Sequence, residues 1–210
     1  QNEKQTITAE AKTLKALCYF QLLKVFAPAY DLNPDAPGVI LKTHLGIEDK
    51  QRSSIRDCVS TIRGLLSDAA QMDGTSRDNG WLSKTAVLYL QADVALYSGD
   101  YETAITSGNA VIAKANDAYF TSEGISNLWA KDSYAGRIFA FNTHSTYYSN
   151  IQFSIQEGDY FCVNPKLNVG TSDLRYTSFT YPFVMNGMVR TLLGKYNRCN
   201  KQNQSTSYIN

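Results

Sequence analysis

Residues 83–115 read SKTAVLYLQADVALYSGDYETAITSGNAVIAKA, and this stretch decides the fold. Apolar residues recur at Val87, Leu90, Val94 and Tyr97, then at Ala104/Ile105, Gly108, Val111/Ile112 and Ala115. Both sets have helical spacing. Between them lies Ser98-Gly99-Asp100, a connection too short for anything but an antiparallel hairpin of two helices. Gly99 can take the left-handed conformation that ends the first helix, and the Asp100 carboxylate can cap the second. Small side chains at Ala92, Ala95, Ala104 and Gly108 allow the two backbones a close approach.

Upstream the same reasoning places two more helices. Thr8–Val25 carries two apolar stripes, one with Ala11, Leu14, Cys18 and Val25, the other with Ala9, Ala16, Phe20 and Leu23. A helix apolar on two sides is expected to pack between neighbours. Pro28 ends it, and a loop over 30–52 follows, punctuated by Pro34, Pro37, Gly38 and Gly46. The next helix opens at Ser54 with Asp57 completing a capping box, and buries Ile55, Val59, Ile62, Leu66 and Ala69. Helices are therefore predicted near 8–27, 54–72, 83–97 and 101–115. The expected fold is mostly α, built from tetratricopeptide-like helical hairpins, with a mixed, loop-rich region containing short strands. Hairpins of this kind usually hold a partner rather than transform one.

Composition changes partway along the chain. Residues 1–116 hold eight of the 25 aromatic residues but 25 of the 39 charged ones, and residues 117–210 hold the remainder of each. We therefore expect a helical scaffold over 1–116 and a loop-rich aromatic region over 117–210, the latter carrying the ligand-binding face of one structural unit. Within it, Arg137–Phe141 reads as a buried strand and Tyr147–Ile155 as an alternating one. Tyr176–Val184, interrupted by Pro182, suits a loop or an edge strand.

Charge, hydropathy and cysteine spacing exclude several functions. Lys and Arg total 20 against 19 Asp and Glu, so no large field exists to recruit nucleic acid. No run approaches the roughly 18 apolar residues that mark a membrane span. Cys18, Cys58, Cys162 and Cys199 form no CxxC pair, and the first two sit in helical patterns that suit buried free thiols. His44 and His144 have no neighbouring ligand cluster, so neither a metal nor another cofactor is expected. No GxSxG, P-loop or GxGxxG occurs. A glycosidase needs two carboxylates flanking the bond. The six acids of the aromatic half, Asp117, Glu123, Asp132, Glu157, Asp159 and Asp173, show no pairing signature. The chain is not expected to be an enzyme.

Four segments carry a family resemblance. AEAKTLKALCYFQLLKVFAPAY (Ala9–Tyr30) resembles an early helix motif of the SusD/RagB family of Bacteroidetes outer-membrane lipoproteins. GVILKTHLG (Gly38–Gly46) with SIRDCVSTIRGLLSDAAQM (Ser54–Met72) is similar to that family's loop and next helix. NGWLSKTAVLYLQADVALYSGDYETAITSGNAVI (Asn79–Ile112) resembles its most recognisable helix pair. RIFAF (Arg137–Phe141), DLRY (Asp173–Tyr176) and Lys195-Tyr196 follow in the order expected. Family members begin with an acylated lipoprotein signal and further helices, and end with another helical block. Neither end falls within these 210 residues, so the chain reads as the middle of a longer protein or as a short relative. The resemblance implies a non-enzymatic, cell-surface glycan-binding protein of the outer membrane, held by a lipid anchor that this chain lacks. It also implies that the protein hands oligosaccharide to a SusC-like TonB-dependent porin.

The residues offer a place for a sugar. A sugar ring needs an aromatic plate for its C–H face and polar groups at its edge. NTHSTYYSN (Asn142–Asn150) supplies both directly after a predicted strand. Tyr147 or Tyr148 would stack on the ring while Asn142 or Asn150 bonds its hydroxyls, unless one tyrosine opens the next strand and buries its ring. Trp81, beside the Asn79-Gly80 turn, is either a second plate or a hydrophobic staple over the Ser83 helix start. Tyr181 and Phe183 either line a loop pocket or pack. Trp129 is expected in the core. The competing function is a tetratricopeptide-type adaptor gripping a peptide in a groove of residues 8–115.

Overall fold

The computed structural model describes residues 2–47, 49–71 and 82–114. In the second half it describes 138–139, 141–142, 170, 172–173, 176–177, 180–185, 187–193 and 208–209. The chain divides into two compact units, one of Gln1–Asp78 and Leu82–Lys114, the other of Asn79–Trp81 and Ala115–Asn210. The fold is mostly helical, as the apolar periodicity predicts.

The first unit contains α1 (Asn2–Phe26), α2 (Ile55–Gln71), α3 (Lys84–Tyr97) and α4 (Tyr101–Ile112). Each helix packs on the next, and α1 also touches α3. The core is continuous, running through Ala16, Phe20 and Leu23 of α1, Ile55, Ile62 and Leu66 of α2, and Val87, Leu90 and Val94 of α3. Tyr97 closes its lower end, its ring edge-on to Phe20 with 5.4 Å between centroids and its hydroxyl donating to the Pro28 carbonyl at 3.4 Å.

The helix starts are set by the side chains that the sequence offers as caps. Ser54 Oγ accepts from the Asp57 amide at 3.0 Å and donates to the Asp57 carboxylate at 2.7 Å. Ser83 Oγ accepts from the Ala86 amide at 3.3 Å. Asp100 accepts from the Thr103 amide at 3.1 Å and from its hydroxyl at 2.8 Å. The three bonds from the Asp57, Ala86 and Thr103 amides each satisfy a donor that a helix N-terminus leaves open. Gly99 sits at φ 76°, the left-handed value that the α3–α4 hairpin turn requires.

Three details differ from the sequence reading. First, α1 starts at Asn2 rather than near residue 8. The Thr8 hydroxyl donates back to the Lys4 carbonyl at 2.7 Å, so it lies inside the helix instead of capping it. Second, α4 ends at Ile112, with 113–114 in a turn. Third, α1 is buried on one side only. Thr13, Ala16, Tyr19, Phe20 and Leu23 face the core, whereas Ala11, Leu14, Cys18 and Val25 are exposed. α2 and α3 pack against the first stripe, and no described element of the unit covers the second. Cys18 is consequently an exposed free thiol, not a buried one, while Cys58 is buried as expected.

In the second unit, β1 (Phe141–Asn142) pairs antiparallel with β4 (Tyr208–Ile209), and β2 (Thr180–Met185) pairs antiparallel with β3 (Met188–Leu193). The β2–β3 ladder closes at Met185 opposite Met188, with Gly187 at φ 76°, where the sequence reads Asn186-Gly187. An Asn-Gly pair matches the twist of a two-residue hairpin turn. The Tyr176–Val184 segment thus contains an edge strand. Pro182 stands opposite Thr191. Counting outward from the turn, that is a non-hydrogen-bonded position, where a missing N–H breaks no ladder bond. Val184 and Val189, paired in this ladder, are both exposed to solvent.

Candidate functional site

The residues singled out for sugar binding are Asn142, Tyr147, Tyr148, Asn150 and Trp81. Tyr147, Tyr148, Asn150 and Trp81 lie outside the described residues, as do Trp129, His144, Cys162 and Cys199. Asn142 is the last residue of β1, which is paired with β4. Register places Tyr208 opposite Asn142 and Ile209 opposite Phe141. Tyr208 is therefore the ladder partner of Asn142, a neighbour that sequence reasoning missed. No local signal could have found it, because the two strands are far apart in the chain and each is two residues long.

The bonding within the helical unit shows what it can and cannot do chemically. The loop between α1 and α2 is fastened at both ends. Pro37 bridges Ser54, Gly38 donates to the Ser53 carbonyl at 2.7 Å, and Ser53 donates back to Val39 at 3.0 Å. Tyr19 holds the middle: its hydroxyl accepts from the Lys42 amide at 2.9 Å and donates to the Lys42 carbonyl at 3.1 Å. Gly38 is required by closeness, since a Cβ there would lie 2.8 Å from Cys58 Sγ and 3.0 Å from the Ser53 carbonyl. The tip of this loop leaves Leu45 and Ile47 fully exposed.

Several charged groups in this unit make structural bonds. Arg56 grips Asp35 with two parallel bonds of 2.9 and 3.1 Å, and this bond holds the Asp35 carboxyl below its ordinary range. The Asp100 carboxyl is also lowered, first by the Thr103 amide, then by the Thr103 hydroxyl, with a smaller contribution from Arg63. Arg63 donates to both Ser98 and Asp100, which ties α2 to the α3–α4 turn. Burial raises the Cys58 thiol, against the weaker lowering effect of its bond with Val39. A thiol raised in this way is less available as a nucleophile. Among the described residues, no group of three or more His, Cys, Asp or Glu side chains gathers as a metal would need, and no helix is long and apolar enough to cross a membrane.

No protein-family model matches the chain, and no curated protein matches it significantly. Solved structures do match its fold. A SusD-like carbohydrate binding protein from Bacteroides vulgatus superposes with a TM-score of 0.74 at 19% identity, covering 100% of this chain and 48% of that one. A SusD superfamily protein from the same species gives 0.73 at 17% identity, covering 99% and 51%. The chain shares its fold with these two structures. A further SusD superfamily protein, from Bacteroides thetaiotaomicron, gives 0.62 at 22% identity over 69% of this chain and 33% of that one. At this level of identity the likeness to SusD-superfamily proteins is one of fold. The chain spans about half the length of the SusD-like structures that it matches end to end.

Proposed function

We propose that this protein binds glycans at the cell surface and delivers oligosaccharide to a SusC-like TonB-dependent transporter of the outer membrane, without catalysing a reaction. The observation that carries this reading is the match in fold, over the whole chain, to a SusD-like carbohydrate binding protein. The division of composition supports it. In the helical unit Tyr19 and Phe20 are buried in the core, whereas most of the chain's aromatic residues lie beyond residue 116.

In this reading the ligand face belongs to residues 117–210 and the helices of 1–116 serve as scaffold and transporter contact. Tyr147 or Tyr148 supplies the plate for a sugar ring, Asn142 or Asn150 bonds hydroxyls at its edge, and Trp81 offers a second plate. Aromatic faces suit the C–H side of a pyranose, and amide groups can both donate to and accept from hydroxyls.

The test is retardation of the full-length protein in native gels cast with a panel of soluble polysaccharides, alongside Tyr147→Ala/Tyr148→Ala. Retardation by a glycan that the double variant loses, a drop of roughly tenfold or more in affinity if one stacked ring is removed, is the expected result. Retardation that survives the variant keeps the function and removes this site. No retardation by any glycan would overturn the reading and favour a peptide ligand for the helical unit.

A further inference from the structure

The loop that joins α1 to α2 carries an apolar tip. Leu45 and Ile47 are fully exposed, and Gly46 between them turns the backbone at φ 110°. Ile40 is exposed on the same loop, whereas Leu41 packs against the core and anchors it. Two branched aliphatic side chains held wholly in water at one turn gain free energy from any apolar phase that takes them up.

Behind the tip, cations gather without acids. Lys15 donates to the Lys42 carbonyl at 3.3 Å, Lys42 to the Gly46 carbonyl, and Lys50 to the Leu41 carbonyl at 2.7 Å. Three ammonium groups are thus held against the backbone of residues 41–46, and each spends there one of its three N–H donors. Elsewhere in the unit exposed cations meet carboxylates, Lys12 with Asp68, Arg56 with Asp35 and Arg63 with Asp100. Among the described residues, Lys15, Lys42 and Lys50 have no carboxylate within ion-pair distance, and Asp49 makes no ion pair either. These lysines, with Arg52, outnumber Glu48 and Asp49, the acids that follow the tip in sequence.

We propose that this loop is a membrane-contact element: Leu45 and Ile47 enter the acyl boundary of an anionic lipid layer, and Lys15, Lys42 and Lys50 receive its headgroup phosphates. Aliphatic insertion and lysine–phosphate attraction together hold a peripheral protein on such a surface, where neither alone is enough. Free phosphate would use the ammonium groups and leave the tip in water. Lipid accounts for both features.

The test is co-sedimentation with vesicles of phosphatidylcholine alone and with vesicles that also hold phosphatidylglycerol. The protein is produced without acylation, so that no covalent lipid contributes. No glycan is present, so the outcome is independent of the glycan reading. Binding to the anionic vesicles is expected to be at least roughly tenfold tighter than to the neutral ones, and to weaken as salt is raised. Leu45→Ser/Ile47→Ser changes side chains that lie outside the core, so its circular dichroism spectrum should match that of wild type while vesicle binding falls at least roughly tenfold. Leu45→Trp should add blue-shifted emission on mixing with anionic vesicles, above the background of Trp81 and Trp129, and brominated lipid should quench it. Absence of binding to anionic vesicles would overturn the proposal and leave an acidic protein surface as the occupant. Binding that the double serine variant retains would overturn it too. So would full release by inorganic phosphate at the concentration of lipid phosphate, which would mean a site for a free anion.

Discussion

The helical unit and the β2–β3 hairpin hold comparable apolar side chains and treat them in opposite ways. Val94, on α3, is 1% exposed and packs within a core that three helices share. Val184, on β2, is 64% exposed, and its ladder neighbour Val189 is exposed too. The helices meet because periodic apolar faces demand cover, and burying them supplies most of the unit's stability. The hairpin is held by a turn and a ladder, neither of which requires that face to be covered. One region is ordered by what it hides, the other by local backbone chemistry.

Truncations at matched places should widen this contrast. Phe20→Ala removes a fully buried ring that also meets Tyr97, so denaturant unfolding of the helical unit should show a loss of about 3–5 kcal/mol. Val94→Ala should cost about 2 kcal/mol in the same assay, whereas Val184→Ala should stay within about 0.5 kcal/mol. A Val184→Ala loss equal to that of Val94→Ala would mean that the exposed hairpin face has a partner, and the contrast would collapse.

Gly38→Ala tests the loop that joins α1 to α2. The added methyl meets the Ser53 carbonyl and Ile55 Cα, backbone that cannot swing aside, so a loss of about 1–3 kcal/mol is expected. The smallest effect is expected in acid. The folded Asp100 carboxyl titrates below its ordinary value near 3.8, so its stabilising contribution is complete above that value and lost as pH falls through the lower, folded one. Asp100→Asn keeps a cap acceptor and removes the charge. The difference in melting temperature between wild type and this variant should therefore shrink between about pH 5 and pH 2. A gap that stays constant over that range would show that the charge contributes nothing.

The sequence made the helices readable because their signals are local. The caps at Ser54, Ser83 and Asp100 and the left-handed Gly99 all act within three or four residues of where they stand. Readability failed where the answer depended on partners. The Ala11–Val25 stripe is as apolar as its counterpart, and nothing in its spacing tells whether a neighbour covers it. The strand part divides in the same way. The β2–β3 turn was legible in Asn186-Gly187, a signal the reading of Tyr176–Val184 passed over. The pairing of Asn142 with Tyr208 depends on chain closure over a long separation, which no local pattern encodes. The sugar-binding residues share that difficulty, since a binding face is set by loop shape more than by composition.

Hydrogen exchange with and without a glycan that retards the protein would test the central claim most directly. The account predicts slowed exchange in peptides from residues 117–210, the 142–150 segment among them, with the amides of α1–α4 unchanged. Slowing confined to the helices, with residues 117–210 unaffected, would contradict it and make the helical unit the binding surface.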